Sequence, residues 1–209
     1  RNPFGGVDKV RMNPPRGSKV LIKPAGPIDP EVSFISVQTT EGRPLALLGN
    51  YSLHYVGGVN RGEVSSDYFG IFSNRIGELI GAEQHYSPPP FVGMMSNGTS
   101  GDINNISFRV SRPRQERFQR MNEVAKLVAN RVLAAHQKVR FQKDITLAME
   151  QTLLTLKNRQ PTAKEIAFAK AVLSDQPPNP LPRLAEAYAH RTLALANGPR
   201  EEEIVLQAL

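Results

Sequence analysis

The sequence predicts an α/β fold, in which a layered mixed β-sheet carries packed helices. Two observations lead to this prediction. Apolar runs of strand length alternate along the chain with segments whose apolar residues recur every three or four positions. The composition agrees, since 40% hydrophobic and 22% charged residues are typical of a folded globular chain.

The first half of the chain predicts a hairpin followed by a helix. Residues 1–30 are rich in proline and glycine and are expected to form a loop-rich entry. The runs 31–39 and 44–53 predict two strands joined by a turn at Glu41-Gly42. The residues 67–80 carry a helical apolar face. Elements of this kind place polar loops at strand ends, where functional groups of α/β proteins gather.

The second half of the chain predicts three strands and three helices. In chain order these are a strand over 91–95, a helix over 112–139, a strand over 145–156, a helix opened by the capping box Thr162-Ala163-Lys164-Glu165, a helix over 181–196 and an apolar run from 204 that begins a strand. The first of these strands leads into the small-residue loop 96–102.

Charge and composition exclude several classes of function. The net charge of +7 is spread along the chain without a basic block or a recognition motif, so no nucleic-acid partner is expected. The absence of cysteine excludes disulfides and thiolate metal sites. No apolar run approaches the roughly 20 residues of a transmembrane helix, so no transmembrane segment is expected. The chain starts without Met and stops in an apolar run, which favours an internal fragment.

Three residues are candidates for chemistry, and each has a structural alternative. His54 follows an apolar strand and precedes two glycines, yet its position alone favours a packed histidine at a strand end. Asp102 lies in a small-residue loop, where its carboxylate could orient a histidine or simply cap an Asx-type turn. Asp67 is expected to be a helix N-cap. His136 and His190 are expected at the surface of helices.

Four segments in order resemble the neutral/alkaline non-lysosomal ceramidases, and more closely their shorter bacterial relatives. They are Gly26-Pro27-Ile28-Asp29-Pro30-Glu31-Val32, the stretch from Gly42-Arg43-Pro44 to Leu53-His54, Ser66-Asp67-Tyr68-Phe69-Gly70, and Ser96-Asn97-Gly98-Thr99-Ser100-Gly101-Asp102-Ile103-Asn104. The resemblance implies that the chain is a fragment of one larger catalytic domain. Its parts would be the entry over 1–30, an α/β core over 31–157, a helical insertion over 158–199 and a truncated strand from 200 to 209.

The resemblance also implies a zinc site. That family holds zinc with two histidines, a glutamate and a tyrosine, and His54 matches the second histidine, with the other ligands outside this chain. Zinc with an open coordination position generates hydroxide at neutral pH and polarises a carbonyl. The resemblance therefore implies a zinc-dependent hydrolase that cleaves the amide bond of an N-acylated lipid, such as a sphingolipid, or of a related substrate such as an N-acylated sugar, with metal-activated water as the nucleophile.

Further roles follow from the same matches. Asp102 would orient groups or handle protons, Asn97 and Gly98 would form part of the substrate wall, and Arg1 matches an arginine beside the substrate pocket. Asn104 stands where the family has a serine of catalytic role, and a carboxamide cannot serve as a hydroxyl nucleophile. A non-catalytic, ligand-binding descendant of the fold is therefore the alternative. The family resemblance favours a secreted or periplasmic bacterial protein with a lipid or small-molecule substrate and peripheral membrane contact.

Overall fold

The computed structural model describes residues 4, 13–82, 88–111, 113 and 115–208. The chain divides into two compact units. We call residues 13–143 the sheet unit, and residues 144–208 with residue 4 the hairpin unit. Both combine strands and helices, so the fold is α/β, as predicted. Arg1, which is a predicted substrate-binding residue, lies outside the described residues.

The sheet unit is built on a mixed three-stranded sheet. Strand β1 (Val32–Gln38) pairs antiparallel with β2 (Pro44–Tyr51), and β2 pairs parallel with β3 (Val92–Asn97). The predicted hairpin is confirmed, and its turn closes where Gly42 adopts φ +88°. Only glycine takes that conformation without strain. The parallel pairing brings the carboxyl ends of β2 and β3 to the same edge of the sheet.

Two helices, α1 (Asp67–Leu79) and α2 (Gln119–His136), cover one face of this sheet. Their apolar residues recur at helical spacing, and together with the inward side of the strands they form the core of the sheet unit. Its fully buried members include Leu47, Tyr68, Phe72, Ile76, Met121 and Val132. Burial of this apolar surface is the main favourable contribution to folding of the unit.

The opposite face of the sheet is largely apolar and exposed in the part of the chain that the structure describes. Two of its cross-strand rows, Val37–Ala46–Val92 and Ile35–Leu48–Met94, are apolar, and the third is the polar row Ser33–Asn50–Ser96. Leu48 is 36% exposed, whereas the preceding Leu47, which points to the helices, is fully buried. The strands thus alternate between a covered and an open side, as the pleat requires.

The hairpin unit contains two strands and two helices: β4 (Glu150–Lys157), α3 (Ala163–Val172), α4 (Ala185–Asn197) and β5 (Glu201–Ala208). The strands pair antiparallel along their whole length. The predicted capping box of α3 is confirmed, because Thr162 and Glu165 exchange side-chain to backbone hydrogen bonds. The division of the chain into entry, core, insertion and truncated strand stays a prediction.

Several predicted boundaries are wrong by a few residues. Helix α2 begins at Gln119 instead of residue 112, because Phe118 adopts φ +62°. Helix α4 begins at Ala185 instead of residue 181, because Leu184 adopts φ +65°. A left-handed residue cannot continue a right-handed helix, so each marks the start of the regular segment. No helix among the described residues has the length and apolarity needed to cross a membrane.

Candidate functional site

The candidate site lies where β2 and β3 end together. Tyr51 and Asn97, the last residues of the two strands, are partners in the parallel register. Beyond them, the Gly98 backbone N–H donates to the Tyr51 carbonyl oxygen at 3.1 Å. The segment that carries His54 therefore leaves the sheet beside the small-residue loop 96–102, as expected for two parallel strands.

A buried serine joins the two segments to a third. Ser52 is 2% exposed, and its hydroxyl donates to Asp29 Oδ2 at 3.1 Å. The Ser52 hydroxyl oxygen also accepts a hydrogen bond from the Thr99 backbone N–H at 3.1 Å and lies 3.2 Å from the Thr99 hydroxyl. A Cβ at Gly98 would overlap the Ser52 hydroxyl, so glycine is required there by close approach. Ser52 thus connects three of the four segments that carry the family resemblance.

His54 is half-buried and has one ring nitrogen free of hydrogen bonds with the described residues. Its Nδ1 lies 3.4 Å from the Tyr55 carbonyl oxygen, at the outer limit of a hydrogen bond. The imidazole also packs on the Tyr55 ring, with centroids 4.2 Å apart and planes at 51°. Nε2 has no such partner among the described residues. The ring is therefore accessible to a ligand, which a histidine sealed in the core would not be.

The backbone just before His54 is fixed by a tyrosine. Tyr68 is fully buried on α1, and its hydroxyl donates to the Leu53 carbonyl oxygen at 3.0 Å. Burial, with a smaller contribution from the neighbouring Asp67 charge, raises the pKa of the Tyr68 hydroxyl above its ordinary value. The hydroxyl consequently keeps its proton and remains a donor to Leu53.

The backbone just after His54 is fixed by an aspartate. The Asp67 carboxylate accepts from the Val56 N–H at 2.9 Å and from the Gly57 N–H at 2.7 Å. It also accepts from the Tyr68 N–H at 2.7 Å, in the manner of a helix cap. Asp67 itself adopts φ +51° and is the first residue of α1, with no side-chain cap from Ser66. The predicted capping role is therefore only part of what this carboxylate does.

The other predicted site residues lie in the loop that follows β3. Asn97 Nδ2 donates to Ser100 Oγ at 2.6 Å, and Gly98 lies against Ser52. Asp102 is exposed, and its carboxylate makes no hydrogen bond with the described residues. Asn104 Nδ2 donates to Asn13 Oδ1 at 3.0 Å. Asn97 and Gly98 thus border the His54 segment, while nothing in the described contacts joins Asp102 or Asn104 to His54.

The described residues do not complete a zinc site. No group of three or more His, Cys, Asp or Glu side chains among them is arranged to hold a metal ion. Zinc in proteins takes three or four protein ligands, and this edge of the sheet offers the imidazole of His54. The Asp67 carboxylate accepts hydrogen bonds from three backbone N–H groups, which hold the backbone around His54.

Sequence reasoning missed two features of the site. Ser52 had a signal, since it is a polar residue within an apolar run, but its partners lie 23 and 47 residues away. The hydrogen bonds that Asp67 accepts from residues 56 and 57 were not predicted, because its position before a helix was fully explained by an N-cap role. One surface expectation was also wrong: His136 is half-buried, with Nε2 3.1 Å from Ser36 Oγ, whereas His190 is exposed as expected.

Comparisons with known proteins support the fold and no finer assignment. No protein-family model matches the sequence, and no curated protein matches it. Among solved structures, the crystal structure of the neutral ceramidase from Pseudomonas aeruginosa matches with a TM-score of 0.53 and 14% sequence identity. The match covers 87% of this chain and 33% of the ceramidase chain, so this chain spans about a third of the length of that enzyme. The chain is similar in fold to part of a ceramidase.

Proposed function

We propose that this chain forms part of the catalytic domain of a ceramidase-like hydrolase that cleaves the amide bond of an N-acylated lipid. The observation that carries the proposal is the setting of His54 at the common edge of β2 and β3. Tyr68 and Asp67 hold the backbone on both sides of it, while its imidazole keeps a free nitrogen. An ordered backbone with an accessible imidazole is what a ligand or general base requires.

The proposal includes a zinc ion that His54 binds together with ligands outside the described residues. Support comes from the fold similarity to a ceramidase and from the order of the four matching segments. The described donors do not complete such a site by themselves. The lipid substrate suggests a protein that works at a membrane surface, in a secreted or periplasmic location.

The chain's own residues have separate parts in this proposal. Asp102 would orient a group or accept a proton, since its carboxylate is exposed and uncommitted among the described residues. Asn97 and Gly98 would line the substrate, with Arg1 beside it. Asn104 would bind through its carboxamide and cannot attack the substrate as a hydroxyl would.

A non-catalytic, ligand-binding descendant of the same fold is the second candidate. It is favoured by Asn104, whose carboxamide stands in place of the family serine and donates to Asn13. In that case the edge of the sheet would still bind an N-acylated molecule but would not turn it over.

The test compares the whole gene product with its His54→Ala variant. Metal analysis of both is combined with turnover of a panel of N-acyl substrates, including ceramide. The proposal expects about one zinc per wild-type molecule, loss of most of it in the variant, and loss of turnover by at least about a hundredfold, the usual effect of disturbing a metal site. Zinc and turnover that survive in the variant would remove His54 from the mechanism. Ligand binding without any turnover would establish the second candidate.

A further inference from the structure

A cleft of about 460 Å³ opens in the sheet unit directly beside the His54 segment. Val56 and Gly57 form one part of its wall. Residues 115–118, just before α2, and the first turn of α2 form another part. Val56 lies two residues after His54, so their Cα atoms are at most about 7 Å apart. A molecule bound in the cleft would therefore lie close to the backbone that carries His54.

The cleft combines an apolar part with arginine side chains. Val56, Ile106, Phe118 and Met121 supply the apolar part. Three guanidinium groups, those of Arg16, Arg117 and Arg120, also line it. A surface of this kind suits an amphiphile whose polar end carries negative charge, because guanidinium groups bind carboxylate and phosphate oxygens with matched geometry.

Two of these arginines are already held in place within the cleft wall. Arg120 contacts the Asn105 carbonyl oxygen and lies 3.3 Å from Glu123. Arg117 pairs with Glu63 and stacks over the Phe118 ring, with 4.4 Å from the guanidinium carbon to the ring centroid. The Arg117–Glu63 pair is the more exposed of the two, and exposed ion pairs contribute little to stability.

Arg16 differs from the other two, because it makes no hydrogen bond or ion pair with the described residues. It is exposed, and it lines the cleft. One carboxylate, that of Glu116, also lines the cleft, and it forms no ion pair with the cleft arginines. Glu63 and Glu123 offset Arg117 and Arg120, and Glu116 adds a negative charge to the same lining. Arg16 is therefore the cleft arginine that has no acidic partner among the described residues.

Resting on the proposed function, we infer that this cleft binds an oxyanion on the substrate, so that the preferred substrates are acidic N-acyl lipids. Arg16 provides the main contact, and Arg117 and Arg120 border the anion. The apolar part of the cleft holds the adjoining methylene groups. Because the cleft is lined by the segment that follows His54, the acidic group belongs on the small headgroup next to the amide. A carboxylate and a phosphate share this chemistry.

The experiment measures binding of soluble short-chain amides to the protein by isothermal titration calorimetry. N-octanoylglycine is compared with N-octanoylethanolamine, a neutral molecule of similar length, and N-octanoyl phosphoethanolamine supplies the phosphate. We expect either acidic amide to bind at least about tenfold more tightly than the neutral one, since a charge-assisted hydrogen bond has that strength. The stronger of the two acidic ligands identifies the oxyanion.

Arg16→Gln is expected to remove the preference for acidic amides. The matched control is Arg131→Gln, which removes an exposed arginine of α2 outside the cleft and should keep the wild-type preference. Equal binding of acidic and neutral amides by the wild-type protein overturns the inference, as does an unchanged preference in Arg16→Gln. Tight, Arg16-dependent binding without turnover would contradict the proposed catalysis but uphold the inference. Turnover without a preference for acidic amides would support the proposed catalysis and contradict the inference.

Discussion

At the scale of single residues, the setting of His54 depends on one buried carboxylate. Asp67 is 9% exposed and accepts three backbone N–H groups, two of them from the segment that follows His54. A buried N–H that loses its acceptor costs roughly 1–3 kcal/mol. The order of this segment is thus coupled to a side chain more than ten residues along the chain.

Replacement of Asp67 tests this coupling. Asp67→Ala removes all three hydrogen bonds and places alanine at φ +51°, which costs roughly 1–2 kcal/mol by itself. We expect the free energy of unfolding to fall by about 3–5 kcal/mol, and the amides of Val56 and Gly57 to exchange faster. Asp67→Asn should lose less, because asparagine tolerates this backbone conformation and keeps one acceptor oxygen.

The matched control is Asp102→Ala, because Asp102 is an exposed aspartate without hydrogen bonds to the described residues. Its free energy of unfolding in urea should stay within about 0.5 kcal/mol of wild type. Similar losses for the two alanine variants, or unchanged exchange at Val56 and Gly57, would contradict the role assigned to Asp67.

At the scale of elements, the sequence predicted the order of strands and helices and missed where several begin. Periodicity identified β1, β2, α1 and the long helix, since burial on one side leaves a regular apolar pattern. The starts of α2 and α4 depend on left-handed Phe118 and Leu184, residue types that give no local signal for such a conformation.

The candidate site was predictable to a similar extent. Placing His54 and the loop after β3 at one edge required only strand order, because both follow strands that end there. The contacts of Ser52 and Asp67 could not be predicted from spacing, since they join segments that meet only in the folded chain. Sequence therefore locates the edge of the sheet, and packing determines which groups hold it in place.

The contact between α2 and β1 predicts a dependence of stability on pH. His136, the last residue of α2, lies between the Phe34 and Phe141 rings, with Nε2 3.1 Å from Ser36 Oγ on β1. Burial lowers the pKa of His136 in the folded state. In the unfolded chain a histidine has a pKa of about 6.5. As pH falls below that value, the unfolded chain takes up the proton first.

The stabilisation that neutral His136 provides is thus fully present above about pH 6.5. It is lost as the pH falls toward the lower pKa that His136 has in the folded state. Urea unfolding of wild type and His136→Gln between pH 7.5 and pH 5 measures this. The wild-type free energy should fall more steeply with acidification than that of the variant, since carboxylates common to both cancel in the difference. Parallel curves for the two proteins would show that His136 does not titrate with folding.

At the scale of the whole molecule, the two units have cores of very different size. Among the described residues, the core of the sheet unit includes large side chains such as Tyr68 and Phe72 on α1. The core of the hairpin unit is formed by Ala169, Val172, Ala185 and Ala189, and its strands are exposed throughout. Less apolar area is removed from water in the hairpin unit, so its structure is expected to be the less stable.

Native-state hydrogen exchange in rising urea tests this expectation. The amides of α3 and α4 should exchange at lower urea than those of α1 and α2, because a small core opens at lower free energy. Val172→Ala, which should lower the stability of the hairpin unit by about 2 kcal/mol, is expected to accelerate exchange in α3 and α4 alone. Val132→Ala is the matched substitution in α2 and should accelerate α1 and α2. If both variants speed exchange in all four helices together, the chain opens as one cooperative unit, and the small core draws its stability from the larger one.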